Sequence, residues 1–106
     1  MAPRTAVLYL VQGLSARAKA ELSALAKDTA QTHGLEFDQI IVVPDTHSGS
    51  LRSALEWMSF HDTACMIVPT LKHLPGKDVG PVLRQADLLT LFPLASYTQR
   101  LAVGAR

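Results

Sequence analysis

The sequence predicts a single three-layer α/β domain, a mainly parallel sheet of four or five strands with helices on both faces. Three observations predict it. Apolar runs occupy residues 6–11, 40–43, 64–68 and, with Thr90 inside it, 88–92, the mark of strands buried on both faces. Between these runs, apolar residues recur at spacings of three and four, as on one face of a helix. The order is therefore β-α-β-α-β-α-β, and parallel strands joined by right-handed helical crossovers place helices on both sides of the sheet.

Each element has a local reason. The first run ends at Gly13, and Ser15 is placed to cap the helix that follows. Ala18, Leu22, Leu25, Ala26 and Thr29 share one face of that helix, and Gly34 fits a left-handed C-terminal cap. The second run, Ile40-Ile41-Val42-Val43, reads as another buried strand, stopped by Pro44. Leu51, Ala54, Leu55 and Met58 form the next helical stripe, with Ser48 or Ser50 as cap. The third run, residues 64–68, stops at Pro69. Asp78 can cap a short third helix whose face is Val79, Val82, Leu83 and Ala86, with Pro81 tolerated in the first turn. The fourth run stops at Pro93. In the tail, residues 94–106, Tyr97 and Leu101 are spaced to begin a short helix, but Gly104 follows soon after.

Bulk composition narrows the function classes. The 106 residues argue one domain, and 48% hydrophobic with 18% charged residues is a globular composition. A net charge of +1 gives no global attraction to nucleic acid or to an anionic membrane. The single cysteine, Cys65, excludes an intrachain disulfide and any site built on several thiolates, and its place in a buried strand makes it a core residue. Nothing resembles a signal peptide, and no run reaches the roughly 18 apolar residues of a membrane span. A cytoplasmic protein is the expectation. There is no GxxxxGK[ST] loop, no GxGxxG fingerprint and no Gly-x-Ser-x-Gly elbow. Val11, Gln12 and Gly13 offer none of the acidic residues with which a phosphoryl receiver holds magnesium.

In open sheets of this kind, function sits beyond the carboxyl ends of the strands. Those loops hold Gln12, Asp45, His47, Ser48, Arg52, Lys72, His73 and Lys77. Ser48, Arg52, Lys72 and His73 form a candidate anion-binding crest, since a cation at a helix start can act together with helix amides. His47 and His73 lack the further ligands a metal needs, so no metal site and no cofactor are expected. Trp57 and Phe60 lie beside the apolar stripe of the second helix and, with Tyr97 and Leu101, make a candidate interface.

The stretch Asp45, Ser48, Gly49, Arg52, Leu55 resembles the catalytic domain of the serine recombinases, the resolvase and invertase family. The likeness is clearest over residues 45–74 and weaker over residues 5–93. After an apolar strand the family carries Leu-Asp-Arg-Leu-x-Arg, where this chain reads Leu71-Lys72-His73-Leu74-Pro75-Gly76. On its first strand the family reads Tyr-x-Arg-x-Ser, where this chain has Tyr9, then Val11 and Gly13. The resemblance implies a serine nucleophile that forms a covalent DNA intermediate, with arginines stabilising the phosphoryl charge. Of that arginine set only Arg52 is matched, and Ser15, two residues late, is better read as the helix cap. The family also continues into a long dimerisation helix and a separate DNA-binding region.

The expected function is therefore a catalytically inactive resolvase-like domain, not an enzyme. It would act by protein–protein binding as a homodimer or with a protein partner, in a regulatory or accessory role. DNA binding is not supported. The alternative is a small enzyme or a nucleotide- or anion-binding protein that uses the basic loops around Arg52 and His73.

Overall fold

A computed structural model of the chain describes residues 3–99. It contains strands β1 (Thr5–Val11), β2 (Glu36–Val43), β3 (Cys65–Val68), β4 (Asp87–Leu91) and β5 (Leu94–Tyr97), and helices α1 (Ala16–Thr32), α2 (Ser48–Phe60) and α3 (Gly80–Leu83). The sheet runs in the order β2-β1-β3-β4-β5. The first four strands are mutually parallel and β5 is antiparallel to β4.

Helices cover both faces. On one side α1 lays Ala26 and Ala30 over Ala6, Leu8, Leu10, Cys65, Ile67, Leu89 and Leu91. On the other, α2 and α3 bring Leu51, Ala54, Leu55, Met58, Val82 and Leu83 against Val7, Tyr9, Met66, Val68 and Leu88. Alternate residues of the central strands thus feed two cores, which is why the runs are apolar throughout.

Two of the expected caps form, but the one expected for α2 does not: its cap position is His47, which makes no side-chain capping bond, while Ser48 already lies in the helix and Ser50 Oγ donates to Asp45. Ser15 Oγ accepts from the Ala18 amide at 3.0 Å. At the far end of α1, Gly34 takes φ +72°. There the Gly34 amide donates to Gln31 O and the Leu35 amide to Ala30 O, a paired closure that returns Leu35 to the core. Asp78 sits one residue before the cap of α3 and accepts from the Gly80 amide at 2.9 Å.

Four further expectations need correction. The tail does not begin a helix at Tyr97. Residues Leu94–Tyr97 form β5, pairing Leu91 with Leu94 and Leu88 with Tyr97. Ala95 and Tyr97 are half-buried while Leu94 and Ser96 are exposed, so the governing period is two rather than four. Leu101 lies outside the described residues. Second, β2 is an edge strand rather than one buried on both faces, with Val42 43% exposed. Third, Leu25 points away from the α1 core, and Ala26, Thr29 and Ala30 are its buried face. Fourth, the third helix is a single turn and the fourth strand spans Asp87–Leu91, with Pro93 in the turn to β5.

Candidate functional site

The carboxyl ends of β1, β2 and β3 meet at one crest, as expected of this topology. Two of its side chains, Asp45 and His73, are engaged with the protein itself. Asp45 follows β2 and accepts from the His47 amide at 3.0 Å and from Ser50 Oγ at 2.7 Å. The Ser50 hydroxyl and the His47 amide hold its carboxyl below the usual carboxylate range. Beneath it, the fully buried Tyr9 hydroxyl has no hydrogen-bond partner among the described residues. Burial, reinforced by the negative charge of Asp45, pushes the Tyr9 phenol up to about 12.

After β3 the chain makes two 3₁₀ turns, Leu71–His73 and Pro75–Lys77. Thr70 Oγ1 caps the first by accepting from the Lys72 amide at 3.2 Å. Leu71 and Leu74 both pack into the core on the α2 side, so the two leucines of the frame anchor the loop. Gly76 and Lys77 adopt left-handed φ values of 58° and 57°, which carry the chain around to α3. Between the leucines, His73 turns inward, and its Nδ1 accepts from the Val11 amide at 3.1 Å. An imidazole that accepts at Nδ1 is neutral, with its proton on Nε2. Burial lowers the pKa of His73 and favours the same neutral form.

This geometry divides the four crest residues. Ser48 and Arg52 lie one turn apart on α2 and line the same groove. Lys72 is exposed on the first 3₁₀ turn and His73 is tied to β1, and neither lines that groove. The groove, about 580 Å³ in volume, runs between α2 and the segment from Pro75 to Gln85. Its floor is Leu51 and Leu55, its far wall Pro75 and Pro81, and its rims carry Arg52, Glu56, Asp78 and Arg84. Gln85 fixes its width, donating from Nε2 to Leu55 O at 2.9 Å. Neither Arg52 nor Arg84 has a carboxylate within ion-pair distance among the described residues. The stripe Leu51–Leu55 shows in the sequence, but no local signal places Arg84 across from Arg52.

The remaining residues fall elsewhere. Trp57 is half-buried against the α2-side core, with its ring stacked on His61 at 3.9 Å. Phe60 is 87% exposed at the end of α2. Tyr97 is half-buried on β5, remote in sequence from that pair. Cys65 is buried, and burial pushes its thiol up to about 12, which leaves little thiolate for chemistry. Among the described residues, no three His, Cys, Asp or Glu side chains are grouped to hold a metal ion, and no helix is long and apolar enough to cross a membrane.

Arg52→Ala is expected to change stability by no more than about 0.5 kcal/mol, because the side chain is exposed and makes no hydrogen bond or ion pair among the described residues. Urea melts of the two proteins check this. A loss above about 1 kcal/mol would make Arg52 a structural residue. Comparison of the chain with family models, with curated proteins and with solved structures returned no match.

Proposed function

We propose that the chain is a non-catalytic, resolvase-like domain that works by binding another protein. In this reading the partner lays a segment into the groove between α2 and α3. The observation that carries it is the hydrogen bond from the Val11 amide to His73 Nδ1. Val11 and His73 stand where the resemblance calls for arginines that face a phosphate. Here the two positions are joined to each other, and the imidazole is held neutral. Gly13 stands at the nucleophile position, and Ser15 is engaged as the cap of α1. A phosphoryl-transfer centre needs fixed cations and a free nucleophile. The groove offers what a binding surface needs instead: an apolar floor flanked by guanidiniums that bind carboxylates in bidentate geometry. Glu56 and Asp78 on the same rims disfavour a uniformly acidic ligand, so the matching segment carries an apolar side chain between mixed charges.

The alternative, a nucleotide or anion site at Ser48 and Arg52, rests on their position in the first turns of α2. Two assays separate the readings. Incubation with supercoiled plasmid, under conditions that trap covalent protein–DNA adducts, is expected to give no adduct. An adduct abolished by Ser15→Ala would overturn the non-catalytic reading. Thermal melts with nucleoside triphosphates or inorganic phosphate are expected to show no rise in Tm, whereas a rise lost in Arg52→Ala would establish the anion site.

A further inference from the structure

We propose that the free edge of β2 is a self-association surface, on which a second copy of this chain adds its own β2 in antiparallel register about a two-fold axis through Ile41. The proposal is independent of the groove and of any partner seated there.

The edge itself sets the first condition. β2 is eight residues long and, among the described residues, pairs only with β1, so one row of its amides and carbonyls faces outward. The opposite edge of the sheet, β5, has four residues. Edge strands are commonly blunted by proline, lysine or a bulge. On β2 the single irregularity lies where Phe37 and Gln39 pair with Ala6 and Val7, near its start. From Gln39 to Val43 the strand is regular and has neither proline nor lysine. Its exposed Val42 borders the same hollow as the exposed Leu14, together with Gln12 and Lys19 from the end of β1 and the start of α1.

Backbone parity then restricts the register. The Gln12 amide donates to Val43 O, so Val43 faces β1, and by alternation so do Ile41 and Gln39. Ile40 and Val42 therefore present their amides and carbonyls outward. The Glu36 amide donates to Arg4 O, which places Glu36 inward as well, and the extra residue of the irregularity accounts for the change of parity. A two-fold axis at Ile41 sets Ile40 opposite Val42 of the second copy, and Val42 opposite its Ile40. Both are outward-facing pairs, each able to exchange two hydrogen bonds.

Side-chain faces agree with that register. Ile40 packs toward α1, while Ile41 and Val43 pack toward α2. Alternation puts Val42 on the α1 side with Ile40. Each opposed pair, Ile40 with Val42, Ile41 with itself and Gln39 with Val43, lies on one side of the sheet, as cross-strand partners must. Asp38 falls opposite Pro44, so no acid is directly opposed to an acid, and Pro44, with no amide to give, ends the ladder. A shift of the pairing by one residue would oppose inward-facing to outward-facing backbone and lose the bonds. A closed two-fold pair is also the commonest form of homo-oligomer.

The test uses the full chain in sedimentation velocity over a dilution series. The wild type is expected to reach twice the chain mass at tens of micromolar. Val42→Lys, which puts a charge on the edge and leaves the β1 ladder intact, is expected to stay monomeric with an unchanged circular dichroism spectrum. Phe60→Ala, at the end of α2, is expected to dimerise as the wild type does. Ile41→Cys supplies a readout that does not depend on the folding of the lysine variant. Its two copies face each other at the axis, and mild oxidation is expected to convert most of it to a disulfide-linked dimer. A wild type that remains monomeric overturns the proposal. So does a Val42→Lys variant that dimerises as strongly as wild type, or an Ile41→Cys variant that does not cross-link. None of these outcomes touches the groove reading, which fails only on its own assays.

Discussion

Ile67→Ala is expected to cost about 2–5 kcal/mol of stability, the range for removing a large aliphatic side chain from a closed core. Ile67 is 0% exposed in the middle of β3, between β1 and β4. It faces the α1 side, among Leu8, Leu10, Ala26, Ala30 and Leu89. Neighbouring strands and the helix above restrain these groups, so the space left by the deleted carbons stays largely open. For a domain stabilised by roughly 5–15 kcal/mol the loss is a large fraction of the total. Urea denaturation of the two proteins gives the difference, and equal slopes show that the change lies in stability rather than in the unfolded chain. A cost below about 1 kcal/mol would mean that α1 does not close over this face, which removes one of the three layers.

The same residue shows why so much of the fold was legible. In β1, β3 and β4 every interior position meets a core on one side or the other, and the sequence records this as apolar runs, broken in β4 only by the buried Thr90. The run in β2 looks identical on paper, yet Val42 is exposed because no described strand lies beyond β2 in the sheet. Strand order is a property of the assembled chain, and a four-residue window holds no trace of it. β5 failed for a different reason. In Leu94-Ala95-Ser96-Tyr97 the large residues are three apart, as on a helix, and only pairing with β4 shows that Ala95 and Tyr97 form the inner face. The shortness of α3 is the work of its surroundings as well: Leu83 is already buried, and β4 begins four residues later.

For the site, the sequence located the loops and misjudged the partnerships. Asp45, Ser48 and Arg52 do stand where β2 gives way to α2. The groove that Arg52 helps to line needs Arg84, Pro75 and Pro81 from a segment whose approach to α2 is set by tertiary packing and by the Gln85–Leu55 hydrogen bond. The sequence places His73 in a basic crest. Leu71 and Leu74 decide otherwise, because anchoring both leucines in the core swings the residue between them toward the end of β1. A histidine in a loop can ligate an anion, face water or accept from a buried amide, and only the anchor points on either side choose among these.

His73 should therefore make the stability of the domain depend on pH. In the unfolded chain its imidazole titrates near the ordinary value of 6.5, whereas burial in the fold lowers its pKa. The folded state consequently binds fewer protons than the unfolded state wherever the pH lies between the two values. The stabilisation is complete above 6.5. It falls as the pH drops through that value, and the decline from this group ends once the pH passes the lowered folded pKa. Protonation of Nδ1 would also turn the acceptor of the Val11 amide into a second donor, which opposes the existing bond. His73→Asn isolates the effect, because the amide oxygen of asparagine can take the place of Nδ1 and does not titrate. The wild type is expected to lose Tm between pH 7 and pH 5 more steeply than His73→Asn, with the curves converging toward pH 7. His73→Ala leaves the Val11 amide without an acceptor and is expected to cost about 1–3 kcal/mol already at pH 7. The difference between wild type and His73→Asn, followed by thermal melts in buffers of matched ionic strength, cancels the other histidines and the carboxylates. Parallel pH profiles for the two proteins would show that His73 titrates alike in the folded and unfolded chain. The bond to Val11 would then not be what holds the loop after β3 against the end of β1.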